Sequence, residues 1–172
     1  FAPKSSRLVR WLLMHAGEFV TQRELARATG LDEGMVSRLV VRLSADDFLV
    51  RNEKNAVRAK SPGLLLDAWR EAYQFSKHTL RQGHVATRSG DALLRFVIDT
   101  LSARKVEHAA TGLAAAWALT HFATFRIATV YLARDPSPEL IEQLGFRADA
   151  RGANLWLVVP NDEGVFQGVL ER

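Results

Sequence analysis

The sequence predicts an α+β protein in two parts, on three observations. Two helical patterns are separated only by Gly30-Leu31-Asp32, two short β-prone runs follow them around the polar turn Asn52–Asn55, and the second half alternates helical stripes with apolar β-runs. At 172 residues, 48% of them hydrophobic, the chain has material for one domain or for two small cores. The polar stretch Lys77–Gly83 decides for two, with expected domains 1–82 and 83–172.

Each element has a local reason. Leu8, Val9, Leu12 and Leu13 recur at helical spacing, so a first helix is expected over Ser6–Ala16, capped by Ser5 or Ser6 and stopped by Gly17. Phe19-Val20 reads as a short extended link. Thr21 with Glu24 three residues on is a capping box, opening a second helix whose Leu25, Ala26 and Ala28 are expected to face inward. Gly30 suits the left-handed end position. Asp32 then caps a third helix with Val36, Leu39, Val40 and Leu43 at i, i+3, i+4, i+7. Two helices joined by so tight a glycine turn are a helix-turn-helix. The runs Phe48–Arg51 and Ala56–Lys60 form a hairpin directly behind it, which is a wing. The first domain is therefore expected to be an N-terminal winged helix-turn-helix domain.

Ser61-Pro62-Gly63 leads a helix over Leu64–Tyr73, with Leu65, Leu66, Trp69 and Tyr73 on one stripe and Trp69 and Tyr73 expected in the core. The second part, a small α+β C-terminal domain, opens with a helix from Ser89 or Gly90 to Ala103. A strand near Val106–Ala110, an Ala-rich helix Leu113–His121 and a strand Ile127–Leu132 come next. Ser137 caps a helix Pro138–Leu144 ended by Gly145, Ala153–Val159 is a strand, and Val165-Phe166 is expected to pair late.

Charge points to one surface. The net charge is +4, and residues 1–75 hold 12 Lys/Arg against 9 Asp/Glu. Within the wing, Arg51, Lys54, Arg58 and Lys60 face a single acid, Glu53. In the third helix the core stripe leaves Gly34, Ser37, Arg38, Val41 and Arg42 outward. Ser37 and Arg38 are expected nearest the bases of double-stranded DNA, because a recognition helix enters the major groove by its N-terminal half and arginine reaches guanine edges. Arg42 is expected on phosphate. Gln22 and Arg23 open the second helix, where free amides and the positive dipole end suit another phosphate. Lys54, Arg58 and Lys60 are expected along the backbone or in the minor groove. The same basic face also suits a winged-helix protein-interaction module.

Other chemistry finds little here. His15, His78, His84, His108 and His121 show no metal-ligand spacing, and Gly83, Gly90 and Gly112 form no phosphate loop. Ser89-Gly90-Asp91 lacks the acidic partners of a nucleotidyltransferase, and Asp135 and Asp149 are isolated. Thr111-Gly112 before a helix offers amides to an anion but reads better as a plain helix start. No enzyme activity, cofactor, metal site or membrane span is expected, and a chain without cysteine suits the cytoplasm. The chain opens on Phe1 rather than Met, and is expected to be a piece of a longer product.

The residues Gly30-Leu31-Asp32, Val36-Ser37-Arg38-Leu39-Val40, Leu43 and Leu49-Val50-Arg51 resemble winged-helix repressors of the MarR and ArsR types. More particular are SPGLLLDAWREAY (Ser61–Tyr73), AATGLAAAWAL (Ala109–Leu119), ATVYLA (Ala128–Ala133) and GANLWLVVPNDEGVF (Gly152–Phe166). Together these resemble the AbiEi family, antitoxins of type IV toxin–antitoxin systems and related regulators. The resemblance implies an N-domain that binds operator DNA and represses its own operon. It also implies a C-domain that counters a nucleotidyltransferase-like toxin without a tight complex. Asp47 departs from the glycine common at that turn, although Asp tolerates left-handed backbone. The family pattern would also continue beyond Arg172 into a further helical segment. A ligand-responsive repressor, whose C-domain binds a small metabolite, is the alternative.

Overall fold

Leu8, Val9 and Leu12 are buried along one face of α1 (Pro3–Met14) and hold the first unit together with Leu25, Val36, Val40, Leu43 and Leu65. The structure is a computed structural model that describes residues 3–122, 124–149 and 151–169. It divides into Phe1–Gln74 and Phe75–Arg172. Ser5 and Ser6 lie inside α1 rather than capping it, since the helix starts at Pro3.

The helix-turn-helix forms as its caps dictate. In α2 (Gln22–Thr29) the Glu24 carboxylate accepts from the Thr21 amide at 2.8 Å, and the Thr21 hydroxyl accepts from the Glu24 amide. Gly30 ends the helix at φ +66°. Ala28, expected inward, is exposed; Thr29 is buried instead, its hydroxyl donating to the Leu25 carbonyl at 2.6 Å. That bond satisfies the one polar group that would otherwise forbid threonine the position. Asp32 accepts from the Met35 amide at 2.7 Å and starts α3 (Glu33–Ala45).

The chain leaves α3 through Asp47 at φ +60°, then forms β1 (Leu49–Arg51) and β2 (Val57–Ala59) in antiparallel register, Val50 opposite Arg58. The hairpin turn is held by the Asn52 side-chain oxygen, which accepts from the amides of Lys54 and Ala56, both at 3.0 Å. Asn55 takes the left-handed position of this turn. Beside the turn, where Val57 faces Arg51, Val20 and Val57 exchange both backbone hydrogen bonds, at 2.9 and 2.8 Å, so the link between α1 and α2 adds a one-residue third strand.

In α4 (Pro62–Ala72), Leu65 is fully buried and the Trp69 indole donates to the Ser6 hydroxyl at 3.1 Å. Leu66 and Tyr73, expected on the buried stripe, are 49% and 47% exposed. Leu65 and Trp69 form an i, i+4 line, and Leu66 sits about 100° round the helix from it. Tyr73 is already the end residue, with ψ 131°, and its side chain leaves the stripe where the helix stops.

The second unit is a five-stranded sheet in the order β4-β5-β7-β3-β6 with three helices. The strands are β3 (Thr79–His84), β4 (His108–Thr111), β5 (Ala128–Leu132), β6 (Arg147–Ala148) and β7 (Leu155–Val159). Only β5 and β7 are parallel. Ala128, Val130 and Leu132, with Leu155 and Leu157, share a core with α5 (Gly90–Ala103), α6 (Gly112–Thr120) and α7 (Pro138–Gln143). The alternate residues Tyr131, Trp156 and Val158 point to the other face, as strand period requires.

Two expectations for the second unit need correction. The polar run Lys77–Gly83 is not a linker: Thr79–Gly83 pairs with β7 along its length, which places the division at Gln74/Phe75. Its polar side chains concealed a strand held by backbone bonds. Val165-Phe166 belongs to a 3-10 turn, Glu163–Phe166, started by Asp162, whose carboxylate accepts from the Gly164 amide at 2.8 Å. The strand β6 has no sign in the sequence, being two exposed residues too short to carry any pattern.

Candidate nucleic-acid interface

The outward face of α3 comes from the geometry of its buried face. Val36, Val40 and Leu43 are in the core, which turns Gly34, Arg38, Val41 and Arg42 to the surface with Ser37 at its margin. The Arg38 guanidinium runs back toward the helix N-terminus: a methyl placed on Gly34 would meet it at 3.5 Å and the Asp32 carboxylate at 3.3 Å. Glycine at position 34 thus leaves room for a long side chain to lie along the first turn, the direction helical side chains take. Arg42 is one turn further on and lines a cleft of about 160 Å³ beside Asp46 and Phe48.

The wing carries its cations unequally. Lys54 stands exposed at the tip and Arg51 at the end of β1. Arg58 is half-buried, its guanidinium 4.9 Å from the centre of the Phe19 ring, and its buried Nε makes no hydrogen bond. That stacking fixes the direction of the side chain. Lys60 is spoken for: its ammonium donates to both Asp47 oxygens, at 2.7 and 2.6 Å. A group expected free for phosphate is neutralised by an acid thirteen residues earlier.

The start of α2 also differs from expectation. Gln22 and Arg23 are at its first turn, as anticipated, with Arg23 exposed. The Glu24 carboxylate occupies the same helix end, and the Thr21 amide, then the Thr21 hydroxyl, hold its pKa below the usual range. It is a fixed negative charge where the sequence places a phosphate. Arg27, one turn beyond Arg23, is exposed on the same side and was missed, because no motif singles out a cation in mid-helix. Arg51 was counted in the wing's charge but not nominated, since its place at the strand end is set by the hairpin register.

The second unit holds its polar groups in structural pairs. Arg81 grips Asp135 with Nε and a terminal nitrogen, and the pair holds the carboxyl well below its ordinary range. His78 is buried against Phe75 and Tyr131 and accepts from the Asn161 amide at 3.1 Å. His108 Nδ1 lies 2.7 Å from the Val106 carbonyl, and His121 packs edge-on to Trp117. Among the described residues, no three His, Cys, Asp or Glu side chains gather as metal ligands. No helix among them is long and apolar enough to cross a membrane.

No curated protein matches the chain. Residues 2–58, about a third of its length, match the family model for the MarR family. With α2 and α3 joined by the Gly30 turn and followed at once by the β1–β2 wing, the first unit is a winged helix-turn-helix domain, similar to those of the MarR family of DNA-binding transcription regulators.

Proposed function

We propose that this protein is a sequence-specific transcriptional regulator that represses its own operon, acting as the antitoxin of a type IV toxin–antitoxin pair. The observation that carries the DNA-binding part is the arrangement within one unit of the α3 face, with Ser37, Arg38 and Arg42, and a wing bearing Arg51, Lys54 and Arg58. Phosphate contacts from these cations would make affinity fall steeply with salt. Gel-shift or anisotropy titrations against the DNA upstream of its own reading frame test this directly. Absence of binding to every upstream fragment at low salt removes the reading.

The antitoxin part is supported by the AbiEi-like segments of the second unit, Ala109–Leu119 and Gly152–Phe166. A nucleotidyltransferase-like toxin encoded beside the gene, and loss of its toxicity on co-expression, is the corresponding test. The division of labour follows the units: residues 1–74 suffice for sequence preference, and residues 75–172 are required to neutralise the toxin. A ligand-responsive repressor is the second reading. A cleft of about 600 Å³ between the end of β3 and α7 favours it, lined by His84, Phe96, Phe146 and Arg147 among others. Its lining sets the charges of Arg147 and Glu142 against apolar and aromatic walls, the mixture that small-ligand sites share.

A further inference from the structure

Val41 stands alone in character on the outward face of α3. It is 60% exposed, although β-branched and wholly apolar, and its neighbours one turn away are Ser37, Arg38 and Ala45. The core does not need it, because Val36, Val40 and Leu43 already fill the inward stripe. Of those neighbours only Ala45 is apolar, a single methyl, while Arg38 and Arg42 on either side are groups that suit a polyanion. In the major groove the one apolar feature is the C5-methyl of thymine, and small apolar side chains recognise it by contact.

We propose that Val41 reads a thymine methyl group in the operator. The inference rests on the DNA-binding reading above. Four residues, about 6 Å of helix rise, separate Val41 from Ser37, against about 3.4 Å per base step. The thymine therefore lies about two base pairs from the base met by Ser37 and Arg38, on the side toward the C-terminal end of α3. Arg38 points back to Gly34 and away from Val41, so the two side chains address different base pairs. The operator half-site thus combines a guanine, read by hydrogen bonds, with a thymine, read by shape.

The test uses the full chain and duplexes selected from a random pool at moderate salt. Each thymine of the selected site is replaced in turn by uracil, which keeps every hydrogen-bonding group and removes only the methyl. Wild type should lose about fourfold in affinity at one thymine of the half-site, the worth of one buried methyl-sized group. Val41→Ala, checked for an unchanged melting temperature, should bind the thymine and uracil sites equally. Indifference of wild type to uracil at every position of a site it binds specifically overturns the proposal. So does a uracil penalty that persists undiminished in Val41→Ala and in Val41→Ser, since another group then reads the methyl. Selection of no sequence at all overturns the DNA-binding reading itself, and this inference with it.

Discussion

Lys60, at the last step of the wing, closes on Asp47, at the left-handed turn that enters it, with both carboxylate oxygens within 2.7 Å of the ammonium. Both side chains are exposed, so the pair contributes little stability, on the order of 0–1 kcal/mol. Its effect is on the surface: it withholds one positive charge from any polyanion approaching the wing. Asp47→Asn keeps a residue tolerant of φ +60° and releases Lys60. Nonspecific DNA affinity should rise and the slope of log K against log salt should steepen by about 1. An unchanged slope would show that Lys60 does not reach phosphate even when free.

Arg38 and Lys54 should separate by the kind of loss they cause. Arg38→Ala should cost about 1–3 kcal/mol of specific binding and spare nonspecific binding, if the guanidinium grips guanine in bidentate fashion. Lys54→Ala should weaken both alike and reduce the salt slope. Paired titrations against operator and scrambled duplex measure the ratio. A specific-to-nonspecific ratio untouched by Arg38→Ala means that α3 enters the groove in another orientation.

Gly83 is required by its neighbours rather than by its backbone angle. A methyl there would lie 2.3 Å from the Phe146 ring and 2.6 Å from the Arg147 carbonyl, where β6 crosses β3. The ring can move only by leaving its place against the core, so Gly83→Ala should destabilise the second unit by about 1–3 kcal/mol. Melting followed by fluorescence in a Trp11→Phe, Trp69→Phe background, where Trp117 and Trp156 alone emit, reads that unit, while operator binding should survive. Loss of both together would show that the two units do not fold independently.

His78 gives the second unit a distinct response to mild acid. Burial pushes its pKa below the ordinary value of about 6.5, and the neutral ring accepts from the Asn161 amide. The unfolded chain takes up this proton first, so stability is complete above the unfolded pKa and declines as pH falls below it, levelling off under the folded pKa. The decline precedes that of Glu24, Asp91, Asp135 and Glu139, whose lowered pKa values place their losses in stronger acid. His78→Asn retains an acceptor and should flatten the stability profile below about pH 6.5. Denaturant titrations across that range measure it.

The sequence made the first unit legible because its rules are local. Thr21 with Glu24, and Asp32, announce helix starts through hydrogen bonds spanning three residues, Gly30 announces an end through its left-handed backbone, and each is found where announced. What it hid depends on partners far along the chain. Thr79–Gly83 is a strand because Leu155–Val159 lies beside it, seventy and more residues away, and its own side chains are too polar to advertise the fact. The candidate interface divides in the same way. The outward positions of α3 follow from helical period alone, whereas the neutralisation of Lys60 and the stacking of Arg58 on Phe19 depend on how the wing folds back.

The backbone exchange between Val20 and Val57 has a mechanical consequence. A hairpin joined to its domain only in sequence can sway as a whole, but this one is stitched, at the far end of its ladder, to the segment that connects α1 with α2. Its stiffness therefore belongs to the helices as much as to the wing, and free play is confined to the turn beyond Asn52. On duplex DNA, this stitch would set the wing's reach before contact is made, leaving Lys54 at the tip to adjust to the contour of the strand.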